Sequence, residues 1–216
     1  MSEIVSAAAP LSRRELIAGL GVVGAVIVAG GVSGGVAEAD EPAEVVRDDV
    51  RYGFLVDTGN CVNCKKCVEA CRASHDTPEG MPARRKVTPY ESSFGKIVYV
   101  STSCMHCAEP ACATVCPARA IEKRADGIVT VNPDRCIGCK YCYQACPFQV
   151  PHYGNDGMDK CDCCLSVGIP AGEEPYCAQA CMFDALHFGD VNELLKRNHY
   201  TAKQVEASTD PSLYLL

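Results

Sequence analysis

Cys136-Ile137-Gly138-Cys139-Lys140-Tyr141-Cys142-Tyr143-Gln144-Ala145-Cys146-Pro147 fills every position of the spacing C-x2-C-x2-C-x3-C-P. Three thiolates three residues apart wrap one loop around three irons of a cubane 4Fe-4S cluster. The fourth, followed by a helix-limiting proline, points away and ligates a different cluster. Gly138 suits a loop whose backbone must approach inorganic sulfide closely.

The pattern recurs in three further places. Cys61, Cys64, Cys67 and Cys71 keep the same gaps without the proline. Cys104, Cys107, Cys112 and Cys116, followed by Pro117, widen the second gap, and Cys161, Cys164, Cys177 and Cys181 widen it further. These four quartets use all but one of the 17 cysteines and leave Cys163 over. Four quartets imply four 4Fe-4S clusters, arranged to carry electrons.

Zinc is the first competing explanation, since C-x2-C pairs often bind it, but zinc takes two pairs per ion rather than triplets with a displaced fourth thiol. A disulfide framework is the second, and the odd count and the crowding within each motif argue against it. The chain has 216 residues, no tryptophan and 5 phenylalanines, a modest apolar core for its size. Metal ligation can substitute for that missing core because binding free energy becomes folding free energy, so the metal-free chain is expected to be largely unfolded. A formal charge of −7 and the lack of a basic cluster exclude a nucleic-acid footprint.

Residues 1–39 read as an export signal. Arg13 and Arg14 stand just ahead of an apolar, glycine-rich run from Leu16 to about Val36, and Ala37-Glu38-Ala39 supplies an A-x-A cleavage site. Ser12-Arg13-Arg14-Glu15-Leu16 resembles a twin-arginine translocation signal, a route that carries folded, cofactor-loaded proteins. Retention of the run as a membrane anchor is the alternative, and its many glycines make it weakly hydrophobic for a permanent span.

Along the body, 52–56 has strand composition and 67–71 is helical. Residues 74–88, with Pro78, Gly80 and Pro82, read as a long surface loop, and 96–100 as a strand. Asp126-Gly127 between two β-branched runs signals a hairpin joining the second and third motifs. Residues 185–188 look like the strand that answers 52–56. Asp190 is placed to cap a helix over 191–197, and 212–216 is apolar enough to dock as an edge strand.

The crossed rule of two-cluster ferredoxins assigns Cys136, Cys139 and Cys142 with Cys116, and Cys104, Cys107 and Cys112 with Cys146. The same logic joins Cys61, Cys64 and Cys67 with Cys181, and Cys161, Cys164 and Cys177 with Cys71. In Cys161-Asp162-Cys163-Cys164 only Cys161 restores the C-x2-C gap, so Cys163 is read as a small bystander. His106, inside the second motif, is a candidate hydrogen-bond donor to cluster sulfur or a packing residue. Lys65, Lys140 and Lys160 stabilise reduced clusters or are solvated charges.

Cys104-Met105-His106-Cys107 through Cys116-Pro117, the run 136–147 and Lys160-Cys161-Asp162-Cys163-Cys164 together resemble the iron–sulfur subunits of the dimethyl sulfoxide reductase family of molybdopterin oxidoreductases, over residues 52–216. A signal on such a subunit looks more like the exported relatives, such as those of nitrite- and polysulfide-reducing systems. The resemblance implies an α+β fold of two nested ferredoxin-like dicluster domains with short strands, short helices and long loops. The expected division is a signal at 1–39, an acidic linker at 40–51, an outer domain of 52–103 plus 148–190, an inner domain at 104–147 and a C-terminal helix and tail at 191–216. It also implies an electron-transfer subunit without a catalytic residue or substrate site of its own. Its partners would be a molybdopterin-containing catalytic subunit and an integral-membrane, quinone-reactive subunit, outside the cytoplasm. A hydrogenase complex is the alternative setting, and a stand-alone iron–sulfur enzyme or sensor a more distant one. All sixteen motif positions are cysteine, so no 3Fe-4S cluster is expected.

Overall fold

The computed structural model describes residues 50–92, 94–154 and 157–216. The expected leader and all but the last two residues of the expected acidic linker lie outside the described residues. In chain order the elements are β1 (Tyr52–Val56), α1 (Lys66–Ser74), β2 (Lys86–Glu91), β3 (Ile97–Thr102), α2 (Ala111–Thr114), β4 (Ile121–Lys123) and β5 (Val129–Val131). There follow α3 (Tyr141–Ala145), β6 (His152–Gly154), β7 (Gly157–Asp159), α4 (Tyr176–Gln179), β8 (Leu186–Asp190), α5 (Val191–Arg197), β9 (Lys203–Gln204) and β10 (Leu213–Leu215). The class is α+β, with short elements and long connections.

The largest sheet runs β8-β1-β10-β9. Its centre is β1, whose Phe54, Leu55 and Val56 are all buried, as expected of a strand covered on both faces. β8 pairs with β1 antiparallel, setting Phe54 opposite Phe188, while β10 lies parallel on its other side. Gly53 allows that close approach, because a Cβ there would run into the Ser212 carbonyl and Val191. Asp190 caps α5 by accepting from the Asn192 N–H at 2.9 Å, and Lys196 and Arg197 sit favourably in its last turn.

Three two-stranded hairpins complete the strands: β2 with β3, β4 with β5, and β6 with β7. The β4–β5 turn uses Gly127 at φ 84° and a buried Asp126 whose carboxylate accepts from the Ile128 N–H at 3.0 Å. α1 packs against α4, and α2 against α3. The first and fourth motifs thus share one helix pair and the second and third another.

Two expectations need correction. The stretch 74–88 is not surface loop throughout: Arg85 is 2% exposed and β2 begins at Lys86. Its guanidinium is made tolerable inside by serine hydroxyls and an aromatic face, none of them adjacent in sequence. The strand at the carboxyl end is not an edge: β10 lies between β1 and β9, and the two-residue β9, Lys203-Gln204, has no apolar alternation to announce it.

The larger apolar core gathers Phe54, Val56, Val100, Met105, Ile128, Leu186, Phe188 and Leu213. A smaller one holds Ile121, Val129 and Met158. Cysteines are part of both: Cys67, Cys163 and Cys177 in the first and Cys142 in the second. The protein's interior is built around its sulfur atoms.

Candidate metal centres

All 17 cysteines lie among the described residues, and each is a free thiol. Their loops share a backbone signature. The third residue of each C-x-x-C is left-handed: Asn63 at φ 57°, His106 at 43°, Gly138 at 66° and Cys163 at 59°. Lys65, Lys140 and Cys164 continue with a second left-handed residue at 62°, 65° and 66°. Successive left-handed and right-handed residues turn backbone N–H groups inward, making a concavity for an anion.

Cys61, Cys64, Cys67 and Cys181 line one cavity, with Asn63, Ser101 and Leu186 around them. The Ser101 hydroxyl lies 3.4 Å from Cys67 Sγ, and the Ala185 N–H donates to Cys181 Sγ at 3.4 Å. Cys116, Cys136, Cys139 and Cys142 line a second cavity, with Gly138, Tyr153 and Met158. There the Tyr153 hydroxyl is 2.9 Å from Cys142 Sγ, and the Ala120 and Met158 N–H groups donate to Cys116 and Cys136 at 3.3 and 3.5 Å. Gly157 is required beside this cavity, since a Cβ there would stand 3.2 Å from Cys136 Sγ.

The other two groups are deeper. Burial pushes the Cys71 thiol up to about 12, helped by the charges of Cys161, Cys177 and Cys164 around it. His75 Nε2 reaches Cys164 Sγ at 3.5 Å. Burial likewise pushes Cys112 up to about 12, beside Cys104, Cys146 and Cys107. The buried Thr209 hydroxyl faces Cys107 in this group. The fold therefore brings together four sets of four thiols, each drawn from two motifs.

This donor set fits 4Fe-4S clusters. Four sulfur ligands meet in each place, backbone N–H groups point at sulfur, and the left-handed loops leave room for inorganic sulfide. In the metal-free chain burial raises the Cys71, Cys112, Cys164 and Cys177 thiols, whereas hydrogen bonds from Cys163 and His106 lower Cys161. Ligation must therefore expel protons from the raised thiols as it supplies the compensating positive charge.

Cys163 is 2% exposed and its place is conformational. It fills the left-handed position that Gly138 fills in the third motif. Its thiol lies 3.2 Å from His106 Nε2, while His106 Nδ1 accepts from the Val129 N–H at 3.0 Å. That second bond places the proton on Nε2, which donates to Cys163. His106, Cys161 and Cys163 hold their donor atoms within 4.8 Å of one another, yet Cys161 also lies, with Cys164 and Cys177, around Cys71. The imidazole is fully buried, and burial holds its pKa down.

Arg85, Ser101, His75, Tyr153 and Thr209 carry no signal in the cysteine spacing and come to the sulfur atoms only through tertiary folding. Of the three lysines, Lys160 is 2% exposed and so is not a solvated charge. Lys140 Nζ lies 5.5 Å from the Tyr153 ring centroid.

Two family models match, each described as a 4Fe-4S dicluster domain, over residues 60–120 and 95–191. The formate dehydrogenase iron–sulfur subunit of Wolinella succinogenes is 40% identical over 126 residues, 55% of this chain and 63% of that protein. The B subunit of the anaerobic dimethyl sulfoxide reductase of Escherichia coli K12 is 39% identical over 162 residues, 68% of this chain and 78% of that protein. Protein NrfC of the same organism is 37% identical over 171 residues, 76% of this chain and 73% of that one. This chain thus spans a little under two thirds of the Wolinella protein and more of the other two. It belongs to the ferredoxin-type iron–sulfur subunits of the dimethyl sulfoxide reductase family of molybdopterin oxidoreductases.

Proposed function

We propose that this chain is an electron-transfer subunit that passes single electrons through four 4Fe-4S clusters. The observation that carries the reading is the convergence of sixteen cysteines, motif by motif, into four tetrads within one fold. The ligand sets are Cys61, Cys64, Cys67 and Cys181; Cys71, Cys161, Cys164 and Cys177; Cys104, Cys107, Cys112 and Cys146; and Cys116, Cys136, Cys139 and Cys142. Such clusters, when bound, supply reversible one-electron storage. The chain's own residues fix the thiolates, exclude water from the deeper sets and set the potentials through N–H and O–H donors to sulfur.

The two cavities with exposed rims carry Val62 and Phe183 on one, and Ile137 on the other. They are the natural places for electrons to enter and leave. The names of the relatives support a molybdopterin-containing catalytic subunit as one partner and favour it over a hydrogenase. An integral-membrane, quinone-reactive subunit is the proposed second partner. Among the described residues no helix is long and apolar enough to cross a membrane. The twin-arginine motif at Arg13-Arg14 supports export of the folded, loaded chain across the cytoplasmic membrane.

The test is anaerobic purification from a native-type host, with iron and acid-labile sulfide counted, the amino terminus sequenced, and low-temperature EPR followed during reduction. About sixteen irons per chain, interacting reduced-cluster signals and a terminus at Asp40 are expected. Eight or fewer irons, or zinc in their place, would sink the four-cluster reading. An intact Met1 would sink cleavage.

A further inference from the structure

Two cations are sealed inside this protein, and no carboxylate among the described residues forms an ion pair with either. Arg85, 2% exposed, donates from Nη1 to Ser101 Oγ at 3.1 Å and from Nη2 to Ser103 Oγ at 2.9 Å. Its guanidinium carbon lies 4.3 Å from the Phe54 ring centroid, and its Nε has no partner. Ser101 is the hydroxyl that faces Cys67, and the Arg85 charge also acts on Cys177, Cys161 and Cys71 across the same core, which Phe54, Cys67 and Cys177 share. One guanidinium therefore stands between the Cys61/Cys64/Cys67/Cys181 set and the Cys71/Cys161/Cys164/Cys177 set.

Lys160, equally buried, donates from Nζ to the Val129 carbonyl and to the Cys161 carbonyl, the latter at 3.1 Å. The Lys160 charge lies within electrostatic reach of the Cys104 and Cys112 sulfur atoms. This ammonium therefore stands between the Cys104/Cys107/Cys112/Cys146 set and, through Cys161, the same Cys71/Cys161/Cys164/Cys177 set.

A buried charge without a counter-ion is strongly destabilising, and serines, carbonyls and one aromatic face do not neutralise it. The anions positioned to do so are the cysteine sets themselves. A fixed positive charge in a low-dielectric interior favours the more reduced, more negative state of whatever lies beside it.

We propose that Arg85 and Lys160 are the fixed counter-charges of the relay, converging on the Cys71/Cys161/Cys164/Cys177 cluster and raising its reduction potential. Each also raises that of one flanking cluster, and neither hydrogen-bonds a residue that lines the Cys116/Cys136/Cys139/Cys142 cavity. The pattern makes the doubly flanked site a resting place for an electron in mid-transfer. This inference rests on the reading that the four tetrads hold 4Fe-4S clusters.

The test is an EPR-monitored potentiometric titration of the full, anaerobically loaded chain, with Lys160→Met and Arg85→Gln compared with wild type, Lys160→Arg and Arg85→Lys. A Cys164→Ser variant identifies the signal of the doubly flanked cluster by its loss. Each neutral substitution is expected to move that signal negative by at least tenfold in the reduction equilibrium, about 59 mV for one electron. Arg85→Gln should also move the cluster of Cys61, and Lys160→Met that of Cys104. The cluster of Cys136 should stay put, and the charge-retaining variants should follow wild type. Unmoved potentials in either neutral variant with full iron, or an equal shift of all four signals, would overturn the inference. If one neutral variant fails to load iron, the other decides. Wild type without four clusters would overturn the underlying reading as well.

Discussion

Cys163 shows how one residue's role can be set by backbone shape rather than by side-chain chemistry. It occupies the left-handed position of its motif at φ 59°, where the third motif has glycine. Its thiol is spoken for by His106 at 3.2 Å. Cys163→Gly is therefore expected to keep the full iron content at a stability cost of about 1 kcal/mol for the lost packing, whereas Cys161→Ser should lose about a quarter of the iron. Iron analysis of the two variants checks this, and equal losses would show that Cys163 is a ligand. Regular spacing made the cysteines legible as candidate ligands in the sequence. Ser101, Arg85 and Tyr153 were not, because a side chain reaches a sulfur atom from a distant segment without leaving any period behind. Arg85 was the hardest to see, lying beside a proline- and glycine-containing stretch that reads as solvent-facing.

Among the elements, the strands with β-branched or aromatic composition were visible in the sequence. So were the Asp126-Gly127 hairpin and the Asp190 cap, because each depends on neighbours along the chain. β9 and the inner position of β10 depend on pairing between segments and were not. The β1–β10 contact is the tightest of these pairings, since Phe54 and Leu213 are in register and Gly53 leaves no space for a side chain. Gly53→Ala should force the two strands apart and lower stability by about 1–3 kcal/mol. The loss would appear as a lower denaturant midpoint of the loaded chain, with iron content unchanged at low denaturant. An unchanged midpoint would mean the sheet yields without penalty. The short α2, α3 and α4 lack side-chain caps. Their first turns are held by the left-handed or proline residue before them and by the cysteine that follows.

For the molecule as a whole, the apolar cores are small and contain cysteine, and burial raises the Cys163, Cys177 and Cys142 thiols among them. Removing iron with a chelator under anaerobic conditions should therefore unfold the chain. Far-UV circular dichroism and iron content should fall together. A native spectrum surviving complete iron loss would show that the β8-β1-β10-β9 sheet folds without help. The meeting of Cys61, Cys64 and Cys67 with Cys181 also imposes an order of events. At synthesis rates of roughly 5–20 residues per second, the first three thiols wait on the order of ten seconds for the fourth to be made. During that interval they are nucleophiles without a partner, open to oxidants and stray metal. The nested layout that shelters the finished relay thus leaves its first-made cysteines the most vulnerable while the chain is being born. A reducing compartment and a chaperone or scaffold that arrives before translation ends would protect them.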